Sequence, residues 1–209
     1  MVKICGITNG MDARRAVEAG ADFLGFNFYP KSPRYIEPAK ARRIARRLPR
    51  NVFSVGVFVN ESEKTILEIA RTVGLDVLQL HGDESPEVVS RLKRTLPVIK
   101  AICVRNSLRP AKLARFRRSD ALLLDGFDRR RHGGTGKTFA WGVARRANQY
   151  GRIFLAGGLK PENVADAIRA AKPYAIDVCS GVEAKPGKKD PARLKALMQA
   201  VRSVQRNSR

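Results

Sequence analysis

Several absences narrow this 209-residue chain before any motif is read. No run of about 18 uninterrupted apolar residues occurs, so no transmembrane span is predicted. The start, Met1-Val2-Lys3-Ile4-Cys5-Gly6, has no charged segment followed by a long apolar one. It is not read as a signal peptide, and the expected compartment is the cytoplasm. Cysteine is scarce. Cys5, Cys103 and Cys179 are odd in number and widely spaced, with no Cys-x-x-Cys. That argues against a disulfide framework or a zinc site and for reduced thiols. No Ser/Gly-rich linker or composition break divides the chain, so residues 1–209 are read as one domain.

Acidic residues are also in short supply. Lys and Arg number 41 against 19 Asp and Glu, a net charge of +22. Such a field attracts anions: nucleic acid, or a small phosphorylated or carboxylated substrate. A nucleic-acid binder would gather its cations on one face and interleave aromatics. Aromatics are only 7%, and the basic pairs (Arg14-Arg15, Arg42-Arg43, Arg46-Arg47, Arg117-Arg118) are scattered. The charge therefore reads mainly as solvated helix surface, and nucleic acid is not the expected partner.

The hydrophobic share, 44%, is enough for a core, and it is arranged in short runs. Strands are predicted at Val2–Cys5, Asp22–Asn27, Val52–Val59, Val77–Leu80, Val98–Cys103, Ala121–Leu124, Ile153–Ala156 and Ala175–Val178. Continuous apolar runs without alternation suit parallel strands buried on both faces. Helices are predicted between them at Asp12–Ala19, Pro38–Leu48, Glu61–Val73, Ser85–Leu96, Pro110–Arg117, Phe139–Tyr150, Pro161–Ala171 and Pro191–Val204. Pro and Ser at several starts fit first-turn and capping preferences. Strand–helix alternation at about 26 residues per repeat implies right-handed βαβ units. Eight of them imply an α/β fold closed into a single (β/α)8 barrel, with a doubly wound open sheet as the alternative.

In such a barrel chemistry belongs at the C-terminal ends of the strands. Strand one ends in Cys5-Gly6, which reads either as a small buried thiol or as a reactive one. Lys3 is close in sequence, but on this reading strand alternation turns it elsewhere. The loop after strand two carries Arg34, either a surface charge or a fork for a substrate carboxylate. Strand four leads to His81, read as a polar group hydrogen-bonded to backbone. Strand six ends in Asp125, a loop-closing residue or, half-buried at the mouth, a proton donor. Gly157-Gly158 after strand seven and Ser180-Gly181 after strand eight form a candidate anion nest for phosphate.

Taken together these stretches resemble phosphoribosylanthranilate isomerases. The resemblance is carried by Lys3-Ile4-Cys5-Gly6-Ile7-Thr8, Lys31-Ser32-Pro33-Arg34-Tyr35, Leu78-Gln79-Leu80-His81-Gly82, Asp125 with Gly133–Trp141, Leu155–Leu159, Asp177–Glu183 and Pro186–Asp190. It runs in order from residue 2 to about residue 190. It implies an Amadori rearrangement of N-(5-phosphoribosyl)anthranilate, in tryptophan biosynthesis, without cofactor or metal. By position it implies Asp125 as general acid, Cys5 as general base, Arg34 at the anthranilate end, and Gly157, Gly158, Ser180 and Gly181 around the phosphate. Cys179 stands where a Ser is common in the family, and Ala140 where an Asp is common. A histidine-pathway phosphosugar isomerase on the same barrel, or dual specificity, is the alternative activity. A basic nucleic-acid-binding protein is the alternative of another class. Monomer and homodimer are equally compatible with the pattern.

Overall fold

The computed structural model describes residues 1–104, 109–126 and 141–206. Its strands are β1 (Val2–Cys5), β2 (Phe23–Asn27), β3 (Phe53–Phe58), β4 (Val77–Leu80), β5 (Val98–Val104), β6 (Ala121–Gly126), β7 (Ile153–Leu155) and β8 (Ala175–Val178). They close into a barrel in sequence order, all neighbours parallel and β8 pairing back onto β1. The helices are α1 (Gly10–Ala19), α2 (Pro38–Ala45), α3 (Glu63–Val73), α4 (Pro86–Leu92), α5 (Pro110–Arg115), α6 (Trp141–Ala147), α7 (Val164–Ala171) and α8 (Pro191–Arg206). The expected (β/α)8 architecture is therefore present.

Two apolar layers hold it. Residues facing outward from the strands pack with the helices, among them Ile4, Leu24, Phe26, Leu78, Leu122 and Val178. The alternate residues fill the barrel: Phe23, Val55, Val77, Ile99, Leu123 and Phe154 with four alanines. Both faces of every strand are thus buried, which is why the runs are continuously apolar. Helix ends follow local chemistry. Asn9, Ser62 and Ser85 each accept a first-turn N–H at the start of α1, α3 and α4. The run to Leu48 stops being α-helical at Ala45 because Arg47 and Leu48 donate three residues back, to Ile44 and Ala45. Beyond the expected elements, a hairpin of β9 (Glu183–Lys185) and β10 (Lys188–Lys189) follows β8. Residues 127–140, including the Gly133–Thr138 stretch and Ala140, lie outside the described residues.

The floor of the barrel is tied by a repeated device. Asp22, Asp76 and Asp120, each just before an even-numbered strand, accept the backbone N–H of Val2, Ser54 and Val98 at 2.6, 2.7 and 2.9 Å. Asp76 also accepts from the Ser54 hydroxyl at 2.7 Å. Much of the basic excess is solvated, as Arg42, Arg43, Arg46 and Arg47 are exposed. Lys3, Lys100 and Lys189 are not; they are fully buried and each meets a carboxylate. Among the described residues no helix is long and apolar enough to cross a membrane.

Asp76→Ala leaves the buried Ser54 N–H and hydroxyl without their acceptor and is expected to cost about 1–3 kcal/mol. Urea unfolding followed by circular dichroism measures this; an unchanged midpoint would show that the clamp contributes nothing.

Candidate active site

The seam between β1 and β8 holds four chemically active side chains. Lys3 is in register with Asp177, and Ile4 with Val178. Residues two apart on a strand share a face. Lys3 and Cys5 therefore point together into the barrel, and the expectation that Lys3 turns elsewhere is corrected. Lys3 Nζ donates to Asp177 Oδ1 at 2.9 Å with no exposure to solvent. A Cβ placed on Gly25 would come within 2.7 Å of Cys5 Sγ and 3.1 Å of Lys3 Nζ. Both heads thus lie over the glycine of β2, on the inner face. Burial opposes the Lys3 charge, but Asp177 and Cys5 outweigh it and hold the ammonium above its ordinary value. Burial pushes the Asp177 carboxyl up to about 6.

Cys5 is held well below the usual thiol range. Its hydrogen bond with Cys179 is the main cause, aided by Lys3 and Lys189 against the burial penalty. Cys179 is pushed the other way by the same hydrogen bond and by burial. Of the two thiols, Cys5 is the one whose environment favours the anion.

The β9–β10 hairpin closes this corner. Glu183 accepts from Arg34 Nε at 2.9 Å and Nη2 at 2.6 Å, from Lys189 Nζ at 3.0 Å and from the Gly187 N–H at 3.2 Å. Lys189 Nζ also donates to the Cys179 carbonyl at 3.2 Å. Gly6, in the left-handed region at φ 76°, clears the space: a Cβ there would meet Arg34 Cδ at 2.8 Å and Cys179 Sγ at 3.0 Å. Arg34 is thus brought to the Cys5 corner and oriented through its Nε–Nη2 edge, with its charge reinforced by Glu183. Sequence reading missed Glu183 and Lys189; nothing in a Gly-Lys-Lys turn signals that one lysine is buried.

Across the mouth, Asp125 Oδ2 lies 3.4 Å from His81 Nε2, the two side chains 30% and 33% exposed. Gln79 Nε2 lies 3.0 Å from His81 Nδ1 on the other side of the ring. His81 is thus not held on backbone, as expected, but bridges two side chains at the mouth. Its turn is fixed from behind. Lys100 Nζ donates to the Leu80 and Gly82 carbonyls at 3.2 and 2.7 Å and to Glu84 at 2.8 Å, and Glu84 accepts from Asn60 and Gly82 N–H. Burial would raise Glu84, and Lys100 overrides it.

The loops after β7 and β8 meet. Gly157 and Gly158 are both left-handed, at φ 85° and 68°. Gly157 abuts the Gly126 backbone and Asp125 Oδ1, and Gly181 abuts the Leu159 carbonyl, leaving no room for a side chain at either. Among the described residues the N–H groups of Gly157, Gly158, Ser180 and Gly181 have no acceptor. Asn163 braces the first loop, donating to the Gly158 carbonyl and accepting from Lys160 N–H, both at 2.9 Å. The four residues singled out for phosphate are thereby clustered as an N–H-rich cradle.

Removing the Lys3 cation destabilises the Cys5 thiolate, so Lys3→Met is expected to raise the pH at which Cys5 ionises. The pH dependence of Cys5 alkylation, read by peptide mass, checks this; an unmoved midpoint would remove Lys3 from the device.

Comparison with known proteins gives this geometry a context. Residues 2–200 match the family model described as N-(5'phosphoribosyl)anthranilate (PRA) isomerase. A relative from Citrifermentans bemidjiense, named N-(5'-phosphoribosyl)anthranilate isomerase, is 50% identical over 203 residues, covering 97% of each chain. The crystal structure of phosphoribosyl anthranilate isomerase from Thermotoga maritima is similar at a TM-score of 0.92 and 47% identity, covering 97% of this chain and 98% of that one. Another such isomerase, in complex with reduced 1-(o-carboxyphenylamino)-1-deoxyribulose 5-phosphate, is similar at a TM-score of 0.87 and 44% identity over the same shares. With motif order, barrel and near-complete coverage agreeing, the chain belongs to the N-(5'-phosphoribosyl)anthranilate isomerase family.

Proposed function

We propose that Asp125 and Cys5 carry the two proton transfers of the phosphoribosylanthranilate isomerase reaction in this chain. The substrate is a furanose with a phosphate at one end and an anthranilate carboxylate at the other. Asp125 gives its proton to the ring oxygen as the C–O bond breaks, while the nitrogen lone pair forms a C=N bond. His81, its Nε2 3.4 Å from Asp125 Oδ2, stabilises the carboxylate that this step leaves. The Cys5 thiolate then takes the proton from C2 of the iminium, giving an enamine that tautomerises to the aminoketose, 1-(2-carboxyphenylamino)-1-deoxyribulose 5-phosphate.

One observation carries the reading: the mouth holds a thiol whose pKa is lowered by Cys179 and Lys3, and a partly exposed carboxyl group 3.4 Å from His81 Nε2. An acid and a base in separate environments are what two opposed proton transfers require. The N–H groups of Gly157, Gly158, Ser180 and Gly181 suit the phosphate. The guanidinium of Arg34 keeps its Nη1 side for the carboxylate, since Glu183 takes the other edge. The reading places the chain in the cytoplasm, which three unpaired cysteines fit.

Asp125→Asn and Cys5→Ala are each expected to lower turnover by about 10²–10⁴ with the fold intact. A fluorescence assay of anthranilate-sugar turnover, with a histidine-pathway substrate run beside it, measures this. Near-normal turnover in either variant removes that residue from the mechanism, and equal turnover of both substrates would establish dual specificity. Inorganic phosphate is expected to compete with substrate and to lose affinity when Gly181 is changed to Ala. Purely non-competitive inhibition would place phosphate elsewhere.

A further inference from the structure

The seam carries a second thiol that the proton transfers do not need. β1 and β8 are in register at Lys3–Asp177 and Ile4–Val178, and Cys5 and Cys179 stand one residue further along each chain. Neighbouring strands lie about 4.8 Å apart, within the Cα separation of about 4.4–6.8 Å that a disulfide spans. Each thiol acts on the ionisation of the other. No Cβ separates them from the adjoining turn, because Gly6 leaves that space to Cys179 Sγ. Cys5 keeps 9% of its surface open, and Lys189 Nζ stands 4.0 Å from Cys179 Sγ. A nucleophilic thiolate beside a second thiol is the arrangement of peroxide-sensitive cysteines. Cys103, exposed at the end of β5, has no thiol beside it among the described residues.

We propose that Cys5 and Cys179 form a thiol-oxidation site in which a hydroperoxide oxidises Cys5 and Cys179 closes the product into a disulfide. The Cys5 sulfur attacks one peroxide oxygen. The S–O bond forms as the O–O bond breaks, and the departing oxygen leaves as an alcohol or water after taking a proton. Sulfur gives up two electrons and becomes a sulfenic acid. Neutral Cys5 no longer holds the Cys179 proton in place, and Lys189 favours the Cys179 anion. Cys179 then attacks the Cys5 sulfur; the S–S bond forms, the S–O bond breaks, and the hydroxide leaves as water with the Cys179 proton. Loss of turnover on oxidation rests on the assignment of Cys5 as base; the cross-link does not.

The test uses the full chain carrying Cys103→Ser, treated with hydrogen peroxide and followed by turnover, intact mass and peptide mapping. Turnover is expected to fall by about 10²-fold or more, as loss of a base does. The fall should track a mass decrease of about 2 Da and a Cys5–Cys179 peptide, and dithiothreitol should reverse all three. In Cys179→Ser, and in Cys179→Ala as a second variant, each compared with its own untreated activity, Cys5 is expected to gain about 32 Da and turnover not to return. Absence of the cross-linked peptide, or reversible loss of turnover in both variants, would overturn the proposal. A cross-link formed with turnover intact would uphold the oxidation site and refute Cys5 as the base.

Discussion

A lysine ammonium with no contact with water organises this molecule. Lys3 lies inside the barrel, where an unpaired charge would cost several kcal/mol, and two acidic groups share it: the Asp177 carboxyl and the Cys5 thiol. The two compete. Each raises Lys3, and the Cys5 charge in turn raises Asp177. An ordinary thiol is mostly protonated at neutral pH and makes a poor base. Here one strand supplies, two residues apart, both the thiol and a cation that lowers its pKa.

The other buried lysines show the same logic at a distance from the chemistry. Lys100, packed over the Phe116 ring on the helix side of β5, gathers Leu80, Gly82 and Glu84 and so fixes the turn that presents His81. Lys189 pins Glu183, and Glu183 orients Arg34. The turn that carries His81 and the carboxylate that orients Arg34 are thus each held by a buried ion pair, which fixes side-chain geometry on loops. Of the large positive charge, a small part thus serves the site from within, while α2 displays its arginines to solvent.

The barrel was largely legible in the sequence because parallel strands buried on both faces leave short, unbroken apolar runs, and β1, β4 and β8 match their predicted limits. Cys5, Asp125 and the two glycine loops could be singled out because strand ends are where such a barrel places reactive groups. Lys3 was lost to a miscounted alternation, although the spacing of two held the answer. His81 was assigned to backbone because nothing local in Leu-His-Gly points to Asp125, 44 positions later. Glu183 and Lys189 act through a hairpin that no periodicity announces. Burial of a lysine depends on a partner far along the chain, and a single sequence does not display partners.

The hydrogen bonds of the Cys5 corner have an unusual span. Lys3 reaches Asp177 across 174 positions, Thr8 reaches Gly187 across 179, the Lys189 N–H reaches Asp12 across 177, and Arg34 reaches Glu183 across 149. The floor clamps, by contrast, span only 20 to 22. Contacts between close positions form early and cheaply in entropy, and those joining the chain's two ends come late. Strand pairs can therefore assemble while the ring is still open, with Lys3 unpaired and Cys5 an ordinary thiol. The surroundings that lower the Cys5 pKa are therefore complete only when the last seam shuts, so an acid-shifted Cys5 is itself a signal that the barrel is closed.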